Sequence, residues 1–535
     1  MNLAEYVAQF LKAQGVKHLF GLPGGENVAF LEAIRQAGMQ FVLFHHEAAA
    51  GYAADVTGQL TDKPGVCLST VGPGAANLVA GAAAATLERS PMLAITADID
   101  SSWQSSVAHM KLDLTRLFGS VAKGSFHLSP ESAGETLAHA WCLAQSPPRG
   151  AVHIALSPDV ATSPMVIDKP VEVLTDTSKN DVDLSQLRSY LAQAENLFIV
   201  AGLGVEAAGA QAELLALAEQ RQALVAVTPK AKGHFPESHP LFVGCFTAYG
   251  DGPLREALAE ADLILGVGLD SVDFVTSVWD IKTPVINLNL AGADDPALKP
   301  IIALDGDLRD VLRRLAAEPV GQAKSAAATE QKAAEIRQAI ANQLVTPDLP
   351  PVPGTVRIRE IIAALRKVLP EEGAVTVDVG AFKLVFLQQW KTDRPKSLFV
   401  ANGLSAMGYA VPGALAIKLA QPDRPVVAVV GDGALLMYAG ELATVARLGQ
   451  PLVILVVVDQ ALALIRLKQL RQDVAYYGTE FGRTDFNELA DAFGLNYYLV
   501  DGRDDPEEVF HQALRQEQPI IVEARINIAE YDRFR

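Results

Sequence analysis

Val426-Val427-Ala428-Val429-Val430-Gly431-Asp432-Gly433-Ala434 is the stretch on which the reading of the fold turns. Its five leading apolar residues, four of them valine, read as a strand covered on both faces. Gly431-Asp432-Gly433 ends the run in a turn that exposes backbone N–H groups and directs a carboxylate outward. Leu435 to Arg447 reads as the helix that follows. Open parallel sheets place their ligands at the carboxyl ends of strands, and a helix N-terminus favours an anion. The next strand, Leu452 to Val458, delivers a second carboxylate, Asp459, to the same end. Carboxylates repel a diphosphate, and a hard cation such as Mg²⁺ between them removes that objection through oxygen coordination. Gly-Asp-Gly alone is as common in a plain turn, so the flanking strand, the helix and Asp459 carry the metal–diphosphate reading.

The same strand–helix alternation extends through the 535 residues, a length that predicts more than one core. In the first 165 residues, Val42-Leu43-Phe44, Val66 to Ser69 and Met92 to Thr96 are strand candidates. Ala48 to Thr57 and a stretch from about Ala75 are helix candidates between them. The opening Asn2-Leu3-Ala4-Glu5 has the form of a capping box. The pattern loosens between Pro164 and Pro170. A second αβ segment, residues 180–325, contains the strand Leu197 to Val200, the run Ala261 to Gly268 and Val285 to Leu288. Its Gly202-Leu203-Gly204 lacks the third glycine of a dinucleotide fingerprint and reads better as a close strand-to-helix turn. A polar helix from Ala323 to Leu344, then Pro347, Pro350, Pro351, Pro353 and Gly354, marks the second boundary. Residues 355–535 form the third domain, with further strands at Val375 to Asp378 and Ile520 to Val522. The expected fold class is α/β, three open parallel-sheet domains.

Composition narrows the function classes. The chain carries 44 basic against 62 acidic side chains, a net charge of -18, and has no basic run, which argues against nucleic acid as a ligand. Half the residues are hydrophobic and mean hydropathy is +0.20, which excludes general disorder. No apolar run approaches the roughly 20 residues of a membrane helix, and no secretory leader is recognisable. Cys67, Cys142 and Cys245 form neither a disulfide framework nor a metal motif, so a reducing, cytoplasmic setting is expected.

The other chemical signal is His45-His46-Glu47 at a strand exit, followed by Ala48-Ala49-Ala50-Gly51-Tyr52-Ala53-Ala54. Small residues let a helix pack closely beside Glu47, and a carboxylate emerging there is desolvated and available for proton exchange. The plain alternative is an acidic residue stabilised at a helix start. No compact third ligand accompanies His45 and His46, so neither is assigned to a metal; His46 is assigned to support of the Glu47 region.

Taken together and in this order, the motifs resemble those of the thiamine-diphosphate-dependent acetolactate synthase and 2-oxo acid decarboxylase superfamily. The resemblance runs through Phe20-Gly21-Leu22-Pro23-Gly24-Gly25, His46-Glu47, Ser69 to Asn77, Asn402 to Pro412 and Gly431-Asp432-Gly433. It implies a pyrimidine-binding domain (1–165), a central domain (180–325) and a diphosphate-binding domain (355–535). Glu47 then contacts N1′ of the cofactor pyrimidine, and Met407 lies beneath the bend of the cofactor. Asp432, Asp459 and the Ala461 carbonyl become the Mg²⁺ ligands. Pro23, Gly24, Gly72, Pro73, Asn77, Gly431, Gly433 and Ala434 fall in the cofactor's surroundings, as does Lys383 beside Gly380-Ala381-Phe382, with an exposed lysine as the alternative. The implied activity is decarboxylation or carboligation of a small 2-oxo acid. The alternatives are a nonoxidative carbon–carbon lyase on a 2-hydroxyacyl substrate and a noncatalytic cofactor-binding homologue. A homodimer or dimer of dimers is implied, with Glu47 serving cofactor held by the partner subunit's third domain.

Three positions depart from the acetolactate synthase pattern. His109-Met110 replaces a Phe-Gln pair, Lys468 stands near the usual tryptophan, and Leu269-Asp270-Ser271-Val272-Asp273 replaces an Arg-Phe-Asp-Asp-Arg signature. The last of these disfavours FAD. His109, able to exchange a proton near neutral pH, is a candidate substrate-facing catalytic group. Leu464 is a candidate apolar wall, and Arg466 or Lys468 a candidate partner for a substrate carboxylate. Packing and a solvated basic face are the respective alternatives.

Overall fold

A computed structural model describes residues 1–103, 106, 108–165, 182–247, 251–274, 279–318, 325–345 and 349–534. Val107 and the two expected connections at Pro170 and Pro347 lie outside the described residues, as does the expected helix start at Ala323. The fold is three six-stranded, all-parallel sheets. The first comprises β1 (His18–Leu22), β2 (Gln40–Leu43), β3 (Gly65–Ser69), β4 (Met92–Ala97), β5 (Ser125–His127) and β6 (Ala151–Leu156), in the order β2-β1-β3-β4-β6-β5. The second holds β7 (Leu197–Ala201), β8 (Leu224–Val227), β9 (Phe242–Cys245), β10 (Leu263–Val267), β11 (Val285–Asn289) and β12 (Ile302–Asp305), ordered β12-β11-β10-β7-β8-β9. The third holds β13 (Ala374–Val377), β14 (Leu398–Val400), β15 (Val426–Gly431), β16 (Val453–Val458), β17 (Asn496–Val500) and β18 (Ile520–Arg525), ordered β14-β13-β15-β16-β18-β17.

Continuous apolar runs form these strands because both faces are covered. In β7, Ile199 joins one apolar cluster with Val225, Leu265 and Ile286. Its neighbours Phe198 and Val200 join another with Ala226 and Ile264, the two-residue alternation of a strand sandwiched between helices. In the third sheet Val375, Val377, Val427, Val429, Val453 and Leu455 share one cluster. Among the described residues no helix is long and apolar enough to cross a membrane.

The chain divides into two compact units. One gathers the first sheet with Leu404–Asp423 and Leu436–Gln450, and the other contains the second and third sheets. In the first unit, the Glu47–Thr61 and Pro73–Leu87 helices cross at Gly51 and Gly81. A Cβ at Gly51 would fall 2.5 Å from the Gly81 Cα, so only glycine permits that approach. Asn2 and Glu5 form the expected capping box. In the second unit, a Cβ at Gly202 would meet the Gly268 carbonyl at 2.3 Å, consistent with a tight turn in place of a nucleotide cradle.

Two expectations need correction. The stretch after β15 is not one helix but two, Asp432–Met437 and Glu441–Leu448. Gly440 caps the second, and a Cβ there would press on His45 at 3.3 Å. Moreover, Gly431 is the last residue of β15 and Asp432 the first of the helix, so Gly-Asp-Gly is a strand-to-helix junction without an intervening loop.

Candidate active site

One group of candidate residues lies where β1, β2 and β3 end. Leu22 and Ser69 pair in register, so the loops after them, 23–27 and 70–72, lie together. Asn27 donates to the Ser69 carbonyl at 3.4 Å, its Oδ1 accepts the Gly24 N–H at 3.0 Å, and the Thr70 hydroxyl donates to Glu26 at 2.8 Å. A Cβ at Gly24 would collide with Thr70 Oγ1 at 2.1 Å. Gly72, at φ 63°, caps the Pro73–Leu87 helix in a conformation that disfavours other residues. Beyond β2, the His46 ring accepts the Ala48 N–H at 3.1 Å and so caps the Glu47–Thr61 helix, which is the support expected of it.

Glu47 is the first residue of that helix and is 5% exposed. Its Oε2 accepts the Asn77 amide at 3.0 Å, and a Cβ at Gly74 would stand 3.2 Å from Oε1. Pro23, Gly24, Glu47, Gly72, Pro73 and Asn77 are thus brought together. The half-buried Met407 belongs to the same compact unit, in a turn before the Ala410–Ala420 helix. In that segment Leu404 N–H donates to Glu88 at 3.2 Å, and Gln59 donates to the Tyr409 hydroxyl at 3.0 Å. His109 is exposed, while Met110 beside it packs with Val71, Ala97 and Ile99.

Sequence reading missed how the Glu47 approach is held. Glu441, 2% exposed, accepts the His45 N–H at 3.0 Å and the His46 N–H at 2.9 Å. Thr444 donates to Glu441 at 2.8 Å and meets the His45 ring at 3.0 Å, and Arg447 donates to the Leu43 carbonyl. Tyr438 lies edge-on to His46. The Glu-Leu-Ala-Thr spacing on a helix was the available signal, but nothing in it names a partner nearly 400 positions away.

A second group of candidate residues lies in the other unit, where β15 and β16 run in register through Gly431 and Val457. The Asp432 oxygens accept the Gly433 and Gln460 N–H groups, both at 2.8 Å, and Asp459 accepts the Ala461 N–H at 3.1 Å. Burial pushes the Asp432 carboxyl above its ordinary range. Burial, and then the neighbouring Asp432 charge, push Asp459 up to about 7. A carboxylate pair of this kind, Asp432 buried and Asp459 half-buried, suits a hard cation bound through oxygen. Among the described residues no group of three His, Cys, Asp or Glu forms, so two carboxylates need further oxygen ligands. Ala461 bridges Glu480 through bonds made by its neighbours, Leu462 N–H to Thr479 and Phe481 N–H to Gln460. Its own carbonyl is not used in that pairing. The Asp432–Met437 helix has six residues, so its dipole is a smaller resource than the sequence suggested, and a cation matters more.

Phe382 and Phe481 close on this strand-to-helix junction. Cβ atoms at Gly431 and Gly433 would meet their rings at 3.1 and 2.7 Å. Lys383 is 6% exposed, which removes the exposed alternative, and donates to the Ala401 carbonyl at 3.0 Å and to Asn402 at 3.1 Å. Asn402 in turn donates to Asp273 at 3.1 Å, and burial pushes Asp273 up to about 7. On the Ala463–Arg471 helix, Leu464 packs against the third-sheet core, Arg466 stacks over Tyr476 at 4.3 Å, and Lys468 is exposed.

The comparisons agree with this layout domain by domain. Residues 1–117 match the N-terminal TPP binding domain of thiamine pyrophosphate enzymes, residues 184–315 the central domain, and residues 378–524 the C-terminal TPP binding domain. The chain therefore belongs to the thiamine-diphosphate-dependent acetolactate synthase and 2-oxo acid decarboxylase superfamily, as its motifs indicated. It is 30% identical to a probable acetolactate synthase large subunit of Methanocaldococcus jannaschii, over 99% of this chain and 93% of that protein. It is 29% identical to the acetolactate synthase isozyme 2 large subunit of Escherichia coli, over 99% and 96% respectively. A putative thiamine pyrophosphate-containing protein of Bacillus subtilis is 28% identical, over 97% and 91%. The protein is thus a thiamine-diphosphate-dependent enzyme of this superfamily.

Proposed function

We propose that this enzyme uses thiamine diphosphate and Mg²⁺ to decarboxylate a 2-oxo acid or to join it to a second carbonyl compound, as acetolactate synthases do. The observation that carries the reading is Glu47, a buried carboxylate pinned by Asn77 at the start of a helix of small residues. Bound thiamine diphosphate supplies an acidic carbon and an electron sink for cleavage beside a carbonyl. Glu47 holds the proton at the pyrimidine N1′ atom, and Asn77 fixes which carboxylate oxygen is free to do so. Met407 supports the bent cofactor. Asp432, Asp459 and the Ala461 carbonyl hold Mg²⁺, which offsets the diphosphate charge beside Gly431, Gly433 and Ala434, with Lys383 lending positive charge from behind Asn402. Leu464, Arg466 and Lys468 shape the substrate end, and His109 exchanges a proton with substrate.

FAD is not needed in this reading. Asp273, in the segment that replaces the Arg-Phe-Asp-Asp-Arg signature, is buried and committed to the Lys230 N–H and to Asn402. We place Glu47 on one subunit beside cofactor held by the third domain of a second copy, giving a homodimer or dimer of dimers. The free thiols of Cys67, Cys142 and Cys245 support a reducing, cytoplasmic setting. A second reading, cofactor-dependent cleavage of a larger 2-hydroxyacyl substrate, draws on His109-Met110, where the exposed imidazole replaces an aromatic–amide pair.

The test is incubation of protein loaded with Mg²⁺ and thiamine diphosphate with pyruvate and longer 2-oxo acids. Evolved CO₂ with an aldehyde or a hydroxy ketone is the expected result. Cleavage without CO₂ favours the lyase. No turnover, together with equal cofactor C2–H exchange in wild type and Glu47→Gln, would overturn the proposal.

A further inference from the structure

Glu47 has a hydrogen-bonded neighbour on one side, Asn77, but its backbone emerges from the three-residue exit of β2, residues 44–46. That exit is stitched to a single helix face. Glu441, Thr444 and Arg447, three residues apart on the Glu441–Leu448 helix, take up the His45 and His46 N–H groups, the His45 ring and the Leu43 carbonyl. The contact is close as well as polar, since a Cβ at Gly440 would stand 3.3 Å from the His45 Cβ. Glu441 itself is buried, and its oxygens serve three donors: two peptide N–H groups and the Thr444 hydroxyl. Helices leave their first N–H groups without intrahelical partners, and here the two peptide groups directly preceding Glu47 are captured by a charged acceptor. Hydrogen bonds to a charged group are stronger than neutral ones.

We propose that Glu441 is a positioning residue for Glu47: its carboxylate clamps the His45 and His46 peptides and thereby fixes where the Glu47 carboxylate meets the cofactor. This rests on the assignment of Glu47 above. The clamp is made of backbone groups, so the identities of His45 and His46 are not required for it. The identity of residue 441 is. Glutamine retains one acceptor oxygen at the same reach, whereas alanine removes both.

The experiment uses the full-length protein with saturating thiamine diphosphate and Mg²⁺. It compares wild type, Glu441→Gln and Glu441→Ala by amide hydrogen exchange across residues 43–48, by cofactor affinity, and by exchange of the cofactor C2 proton. In Glu441→Ala the His45 and His46 amides lose protection and C2 exchange slows by about 10²-fold, the scale of an ångström-size misplacement, while cofactor binding is retained. Glu441→Gln recovers most of the C2 exchange, a rescue that a purely structural loss would not show. C2 exchange within twofold of wild type in Glu441→Ala overturns the proposal, and so does unchanged amide protection. If Glu441→Ala does not fold, Glu441→Met, which keeps the bulk of the side chain but has no acceptor oxygen, takes its place, and wild-type amide protection or C2 exchange within twofold of wild type in that variant overturns the proposal instead. A wild type without C2 exchange defeats the role of Glu47 and with it that of Glu441, whereas the amide readout still reports the clamp, so the two failures are separable.

Discussion

Gly74→Ala tests the placement of Glu47 from the opposite side. A methyl at position 74 would lie 2.7 Å from Thr70 Cγ2 and 3.2 Å from Glu47 Oε1. It is therefore squeezed between a side chain and the Glu47 carboxylate. Restoring ordinary contact with both requires close to an ångström of clearance. If the carboxylate yields, turnover falls by about 10²-fold on the scale that a 1 Å misplacement sets. Stability changes less, because overpacking costs about 1–3 kcal/mol and replacing a helical glycine returns up to about 1 kcal/mol. Thr70→Ser removes the offending methyl while retaining the hydroxyl that donates to Glu26. In Thr70→Ser/Gly74→Ala only the 3.2 Å contact remains, which a shift of a few tenths of an ångström relieves. The double variant should then lie within roughly threefold of Thr70→Ser alone, on the same scale. Steady-state CO₂ release and chemical denaturation of all four proteins measure the cycle. Full activity in Gly74→Ala, or no recovery in the double variant, would refute the reasoning that these walls set the Glu47 carboxylate.

Glu47→Gln should leave cofactor affinity within a few-fold while C2 proton exchange falls by about 10²-fold or more, the contribution typical of a positioned proton-transfer group; NMR of quenched samples measures it. Asp432→Ala should abolish the Mg²⁺ dependence of cofactor binding, whereas Asp459→Asn, which keeps an oxygen and relieves the carboxylate repulsion, should retain it; calorimetric titration with and without Mg²⁺ decides. Lys383→Met removes the buried donor to the Ala401 carbonyl and to the Asn402 side-chain oxygen, so a loss of about 1–3 kcal/mol is expected from urea unfolding. Glu530, which accepts the Ile358 N–H at 3.3 Å, is pushed up to about 7 by burial, so the folded state binds its proton more tightly than the unfolded chain does. Its contribution therefore falls as pH rises from about 4.5 to about 7 and is level above that, and Glu530→Gln should flatten this part of a stability–pH profile measured by thermal unfolding.

The sequence made some of this legible and not the rest, for a physical reason that runs through both groups of candidate residues. Asp432 and Asp459 were visible because each follows a run of β-branched residues, and a strand end fixes where its next side chain lies. Glu47 was visible because a run of alanines beside an acidic residue lets neighbouring elements close around it and strip it of water. The three-sheet α/β architecture was visible for the same reason as Asp432: uninterrupted valines occur where both faces of a strand are covered. The helix break at Tyr438 to Gly440 was not, because Leu435 to Arg447 holds no proline and its one interior glycine is tolerated in a helix. At the break Gly440 lies close beside His45, from another part of the chain. The partners of Lys383 were hidden by the same blindness, since only the fold reveals that Ala401 and Asn402 receive its ammonium. Glu441 is the sharpest instance. Its functional meaning lies wholly in two peptide N–H groups about 400 residues distant, and backbone donors leave no mark in a sequence. Residues that touch a cofactor are constrained in type and can be read from a motif. Those that place them are constrained by geometry and become visible only once the chain has folded.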